Sequence, residues 1–251
     1  MTATDPKRSL LFPDRNMNQS RRIPWKRLAA EGFVVVVSIL LAFAIDAWWD
    51  GYQEDRREAR QLVAMREEFS ASSVAIDEVL EAIERHANGV DELMSLLKSA
   101  ESDSVQVPGQ LLGYAIGWRT SDVSTSTLDT LIASGDLNQI DNENLRRDLA
   151  GFPAFLLNVT EDELMAMEFA ESTMASFMAR EGLAEAAYSN RPGLDWPNAS
   201  ESATVVPSAE FLGLLMARRV HFNFSLRQLP LVKTYLEDLI AQIDAALGIE
   251  G

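Results

Sequence analysis

The chain has 251 residues, a formal net charge of −16 at pH 7 and no cysteine. That length leaves room for one domain of ordinary size with a buried core, and the missing cysteine excludes disulfides, thiolate catalysis and cysteine metal sites together. So acidic a chain is a poor ligand for nucleic acid, whose phosphates repel it.

The charge is unevenly placed. Residues 1–28 carry Lys7, Arg8, Arg15, Arg21, Arg22, Lys26 and Arg27 against Asp5 and Asp14, a net of +5, so the remainder holds −21. Residues 1–23 show no apolar period and read as a disordered basic tail in the cytoplasm, too short for a signalling domain.

Residues 24–50 read as a transmembrane helix. Only Glu31 and Asp46 are charged between Leu28 and Trp49, and the apolar run Phe33 to Ile45 is interrupted only by Ser38. The 22 positions from Leu28 to Trp49 rise roughly 33 Å at about 1.5 Å each, close to the hydrocarbon thickness of a bilayer. Pro24 suits the first helical position, and Trp25 on one side with Trp48, Trp49 and Tyr52 on the other form the two interface belts. Basic residues near a span stay cytoplasmic, so the N-terminus is expected inside and the acidic body outside, in the periplasm of a bacterial inner membrane. Arg56, Arg57, Arg60 and Arg66 count against this orientation without displacing it. A competing reading takes Ser20-Arg21-Arg22-Ile23-Pro24-Trp25-Lys26 as a twin-arginine export signal cleaved after Ala44. Against it stand Pro24 and Trp25 in place of an apolar pair, Glu31 in the approach, and an aromatic belt where a cleaved segment is polar.

On the span itself Glu31, Val35, Ser38, Ala42, Asp46 and Trp49 fall on one side of the helix, and Glu31, Ser38, Ala42 and Asp46 are the candidate packing residues against another span. The bland alternative is that the two carboxylates reach interfacial water.

The helix is expected to continue through a polar stalk, residues 51–68, into a bundle domain, residues 69–251. Leu62, Phe69, Ile76, Ile83, Val90 and Leu97 recur every seven residues, joined by Met65, Val79 and Leu93, with Ser72 and His86 as the weak points of the seam. Residues 101–109 end it. Short helices follow at 110–118 and 124–133, then one capped by Asp141 with Leu145, Leu149, Phe152 and Leu156 on one stripe and a kink or restart at Pro153. Thr160-Glu161-Asp162-Glu163 reads as a capping box opening a further helix that stops at Gly182. Residues 186–207 read as an exposed loop. The last helix begins at Ser208 and repeats Leu215, Phe222, Leu229, Leu236 and Ile243 at seven, beside Leu212, Leu226, Ile240 and Leu247, keeping phase across Pro230. No stretch alternates long enough to be a strand. The expected fold is therefore all-α, one N-terminal transmembrane helix running into a long heptad-bearing helix, with an extracytoplasmic helical bundle.

This layout resembles a bacterial family of single-span membrane proteins classed only as a domain of unknown function. The resemblance rests on Phe33 to Asp50 followed by Arg56-Arg57-Glu58, on the segment Ser126 to Leu137, and on Ile140-Asp141-Asn142-Glu143-Asn144-Leu145-Arg146. It covers most of residues 25–160 and, more loosely, the C-terminal helix. Asp46 and Asp50 stand where that family often shows asparagine beside tryptophan. The resemblance implies the fold and the anchor, and no activity.

His86 and His221 lack the spacing of a metal site and read as structural helix histidines. Phosphate-loop, dinucleotide and esterase-elbow motifs are absent, and carboxylate pairs such as Glu67-Glu68 are ordinary on so acidic a surface. No catalytic residue, cofactor or metal is expected. What remains is a membrane-anchored interaction or scaffold protein, with an accessory subunit of a membrane complex and a ligand-sensing bundle acting through a partner as alternatives. The expected partners are the lipid bilayer and a homo-oligomer or larger membrane assembly, with no nucleic acid.

Overall fold

The computed structural model describes residues 25–194 and 196–249. The basic tail, Pro24 and the Arg21-Arg22 pair lie outside them, and the Trp25 side chain is not among those described. The chain divides into two units, residues 1–54 and 55–251.

One helix, α1, runs from Trp25 to Lys98. Its part in the first unit is long and apolar enough to cross a membrane, and none of that apolar window is buried in the protein. Phe33 and Trp48 are each about two-thirds exposed, at 68% and 66%.

In the second unit the heptad seam of α1 is the core. Leu62, Met65, Phe69, Ile76, Ile83, Val90, Leu93 and Leu97 are all buried. Burial begins at Leu62, so the end of the stretch read above as a stalk already carries core residues. The other long helix, α7, spans Ala209–Leu247, and there Leu215, Phe222, Leu229, Leu236 and Ile243 are buried in the same way. Ser208 caps α7 by accepting from Phe211 N at 3.1 Å, and Gly248, at φ 69°, ends it. Pro230 lies inside the helix without ending it; the residue is exposed, so the ladder bond it lacks falls on the solvent side.

Ion pairs fix how α1 and α7 meet. Arg66 pairs with Asp244, Asp77 with Lys233 at 2.5 Å, and Asp91 with Arg219 at 2.9 Å. Asp77 comes eleven residues after Arg66 while Lys233 comes eleven before Asp244, and the next step is fourteen in each direction. The two helices are therefore antiparallel in constant register, with steps of three and four turns that keep the same faces together.

A third long helix, α4, spans Glu143–Glu168 and lies against α7 in the same antiparallel sense. Gln242 Nε2 donates to Asp148 Oδ2 at 2.9 Å and Gln228 Nε2 to Asp162 Oδ2 at 2.5 Å, again fourteen residues apart on each helix. Phe69 of α1 meets Phe152 of α4 edge-on at 5.6 Å, closing the three-helix core.

Two sequence expectations about α4 are corrected. Asn142 caps it, accepting from Asn144 N at 3.0 Å and Leu145 N at 3.2 Å, instead of Asp141. Thr160 opens no new helix: its hydroxyl donates back to Leu156 O at 3.1 Å, and Glu163 accepts from Ser121 N of another segment at 3.0 Å. The two halves of the capping box thus have partners elsewhere, and the helix passes through. A π-helical turn, Phe169–Met174, and α5, Ala175–Arg180, follow, and Gly182 at φ 71° is the stop anticipated from the sequence.

The all-α expectation holds apart from one detail. Strands β1, Val105–Pro108, and β2, Ser202–Val205, pair antiparallel with Val105 opposite Val205. They come from two stretches read as loops, and four residues are too few to display alternation. The short helices α2, Gly109–Ile116, and α6, Ala184–Ser189, pack beside this ladder. A Cβ on Gly113 would lie 2.2 Å from Asn190 O, so only glycine permits their approach. The remaining helix, α3, Ser126–Ser134, ends at Gly135 with φ 82°.

Candidate functional site

The residue types that the sequence singled out on the span are all exposed: Glu31, Ser38, Ala42 and Asp46. Ser38 Oγ donates to Val34 O at 2.8 Å, so its hydroxyl is satisfied within its own helix, as an apolar surrounding requires. Trp48, Trp49 and Tyr52 form one aromatic cluster with ring centroids 6.0–6.4 Å apart.

In the second unit clefts open between α4 and α7. Of the faces of α7, one carries Arg219 and Lys233 toward α1, and another carries His221, Gln228, Tyr235 and Gln242 toward α4. On the outer side of that second face lies a cleft of about 620 Å³, walled by Phe155, Leu231 and Tyr235 and bordered by Asp148 and Asp238. The Phe155 and Tyr235 rings are 5.1 Å apart, and Tyr235 Oη donates to Asp148 O at 2.8 Å. Burial, and then the Asp148 carboxylate, push the Tyr235 phenol up, so it remains a donor. Farther along the same pair of helices a cleft of about 260 Å³ is lined by Met165, Phe169, Ser172 and His221. Met165 of the smaller cleft is exposed, and along α7 the exposed Phe224 lies between His221 of the smaller cleft and Leu231 of the larger, so apolar surface runs along α7 from one cleft toward the other, and the two are taken together as a groove.

Carboxylates border both clefts, Asp148 and Asp238 the larger and Glu168 the smaller. Gln228 and Gln242 give their amide N–H groups to Asp162 and Asp148, and the Oε1 atoms of both are buried without a donor. From Phe211 to Leu236 α7 has no carboxylate. Of its cations in that stretch, Arg218 is buried, Arg219 and Lys233 pair with α1, and Arg227 is exposed.

Reactive constellations are missing among the described residues. His221 is half-buried against Phe169 at 5.0 Å, and burial, then Arg218, lower its imidazole. The nearby Ser172 hydroxyl donates to Glu168 O at 2.6 Å, away from any base. His86 is buried between Tyr114 and Phe222, its Nδ1 has no partner, and burial followed by Arg218 pushes it down to about 4, so it is neutral. The structural helix histidine expected from the sequence is thus a buried one with one nitrogen unpartnered. Asp55, Glu58 and Asp141 border a further cleft of about 390 Å³. No group of three or more histidine or carboxylate side chains is placed to hold a metal ion, among the described residues.

One buried group escaped the sequence reading. Arg218 is 1% exposed, donates to Ala166 O at 2.9 Å and to Gly117 O, and lies over the Phe222 ring at 4.2 Å. Burial, then Arg191, push its guanidinium down to about 9. The signal was present: position 218 falls on the core stripe between Leu215 and Phe222, where neighbours are apolar. Its role is to bring the end of α2 to α4, which it does with charge-assisted bonds to two carbonyls.

Comparison with protein-family models, curated proteins and solved structures gave no match for this chain.

Proposed function

We propose that the chain is a non-catalytic binding protein, anchored in a bacterial inner membrane by residues 24–50, with its N-terminus in the cytoplasm and its helical body in the periplasm. In this reading the body holds a partner along the α4–α7 groove, as a scaffold or as the accessory subunit of a larger membrane assembly. The observation that carries it is the groove itself: an open cleft of about 620 Å³ with exposed Leu231 on its wall, a smaller cleft with exposed Met165, exposed Phe224 on α7 between them, and no reacting pair of side chains beside them. Exposed apolar surface that is contiguous and rimmed by polar groups marks binding sites more often than chance exposure does. The asymmetry of charge, +5 before residue 29 and −21 after it, supports the orientation.

Two measurements test the proposal. Alkaline carbonate should leave the full chain in the membrane pellet; release into the supernatant would refute the anchor. Purification in mild detergent should recover a companion protein with the wild-type chain and lose it with the Phe224→Ser, Leu231→Ser double variant. An identical set of companions for both chains would refute the groove as the binding site.

A further inference from the structure

Resting on that reading, we infer that the occupant of the groove is a single amphipathic helix whose apolar face is flanked by lysine or arginine. Shape comes first. The groove lies between two antiparallel helices and extends from the Gln242–Asp148 contact to the His221–Phe169 contact. On α7 that is 22 residues, His221 to Gln242, or roughly 30 Å at about 1.5 Å per step, the length of a helix of about six turns. Phe224 and Leu231 are 50% and 59% exposed and stand seven residues apart, on one side of α7. Such spacing receives side chains at positions i, i+3, i+4 and i+7 of a docked helix, and a fourth helix laid there completes a four-helix bundle. An extended peptide would leave its backbone groups unpaired, because no strand edge borders the groove.

Charge selects among helices. The second unit holds 32 acidic and 15 basic residues, a net of −17. At the groove Asp148 and Asp238 border the larger cleft and Glu168 the smaller one. Arg227 is the one exposed cation of α7 between these ends. A second copy of this body would bring −17 against −17, and an acidic helix would meet the same repulsion. A basic helix gains attraction at Asp148 and Asp238 toward one end of the groove and at Glu168 toward the other, while its apolar face covers Phe224 and Leu231.

The absence of cysteine allows a clean test. An environment-sensitive fluorophore is attached through Ala241→Cys, which lines the larger cleft, or through Glu78→Cys on the exposed face of α1, in the full chain reconstituted in nanodiscs of zwitterionic lipid. The probes are two synthetic helical peptides of about twenty residues, one with leucine and lysine faces and one with leucine and glutamate faces. The lysine peptide should shift emission at position 241 and leave position 78 unchanged, with half-saturation at about a tenth of the concentration needed for the glutamate peptide. Phe224→Ser with Leu231→Ser, both exposed positions, should raise that concentration about tenfold while far-UV circular dichroism stays unchanged. Equal responses at the two labels, equal responses to the two peptides, or no effect of the double substitution would overturn the inference. Self-quenching that grows with chain concentration and disappears in the double variant would identify a second copy as the occupant, also overturning it. If a companion protein still depends on Phe224 and Leu231 while the lysine peptide does not bind, the basic helix is refuted and the binding role of the groove is not.

Discussion

Replacing Glu68 tests how the body is held together, because this one side chain supplies the N-terminal cap of a helix it does not belong to. Helix α3 begins after Thr125, which makes no capping bond of its own. Instead Glu68, on α1, accepts from Ser126 N at 2.6 Å, Ser126 Oγ at 2.7 Å, Thr127 N at 3.0 Å and Ser124 Oγ. Burial alone would raise the carboxyl, but the bonds from Ser124, Thr127 and Ser126 outweigh it and hold the group at about 2, against 4.5 ordinarily. At about 1.4 kcal/mol per pH unit that difference has a ceiling near 3 kcal/mol. Glu68 is only partly buried, so screening by solvent reduces the figure to about 1–2 kcal/mol. For a body of this size that corresponds to a melting temperature about 3–6 °C higher than without the group. Because the folded-state value is depressed, the stabilisation is complete above the ordinary carboxylate value and is lost as pH falls from about 4.5 to about 2. Glu68→Gln keeps one acceptor and turns an amide N–H toward the remaining donors, so it should melt about 3–6 °C lower at pH 7 and show no further loss of its own in the acid window. Thermal unfolding of the full chain in detergent, followed at 222 nm, measures both effects. A variant melting within about 1 °C of the wild type at pH 7 would refute the capping role.

Three other outcomes follow from buried groups. His86 binds its proton in the unfolded chain near 6.5 and in the folded chain only near 4, so stability should fall as pH drops through that window; His86→Phe should flatten a slope with a ceiling of about 3 kcal/mol, read from urea midpoints at pH 7 and pH 4.5. Burial raises the Glu163 carboxyl, so the folded chain binds that proton more tightly and its ionised form is a cost above the ordinary carboxylate range; Glu163→Gln, which keeps the acceptor for Ser121 N, should melt no lower than wild type at pH 8, and a loss above about 1 kcal/mol would contradict this. Gly113→Ala puts a Cβ 2.2 Å from the backbone oxygen of Asn190; the α2–α6 contact has to open, and denaturant unfolding should register about 2–4 kcal/mol of destabilisation.

The repeats of α1 and α7 were legible because a periodicity of seven is a local property of the chain. Every seventh residue from Leu62 to Leu97 and from Leu215 to Ile243 is buried, Pro230 leaves the phase intact, and Gly182 stops its helix. The apolar window of the span was equally plain, since length and hydropathy need no partner to be read. Arg218 could have been found by the same means, as a charge on an otherwise apolar stripe. The errors have two origins: Asp141 lost the cap to Asn142, Thr160 and Glu163 found partners other than each other, and β1 met β2 from a distant loop. Asn142 and Thr160 took other local bonds that were equally within reach, while for Glu163 and β1 the choice depended on what the rest of the chain brought near.

The sequence by itself determined which faces of the long helices are apolar, because burial period follows from the geometry of one helix. Only the tertiary structure decided which helix each remaining face meets. Ion pairs from Asp77 and Asp91 place one side of α7 on α1, and hydrogen bonds to Asp148 and Asp162 place another on α4. The groove is the side left over from those two pairings, and long-range register, which no local pattern encodes, is the reason it lies where it does.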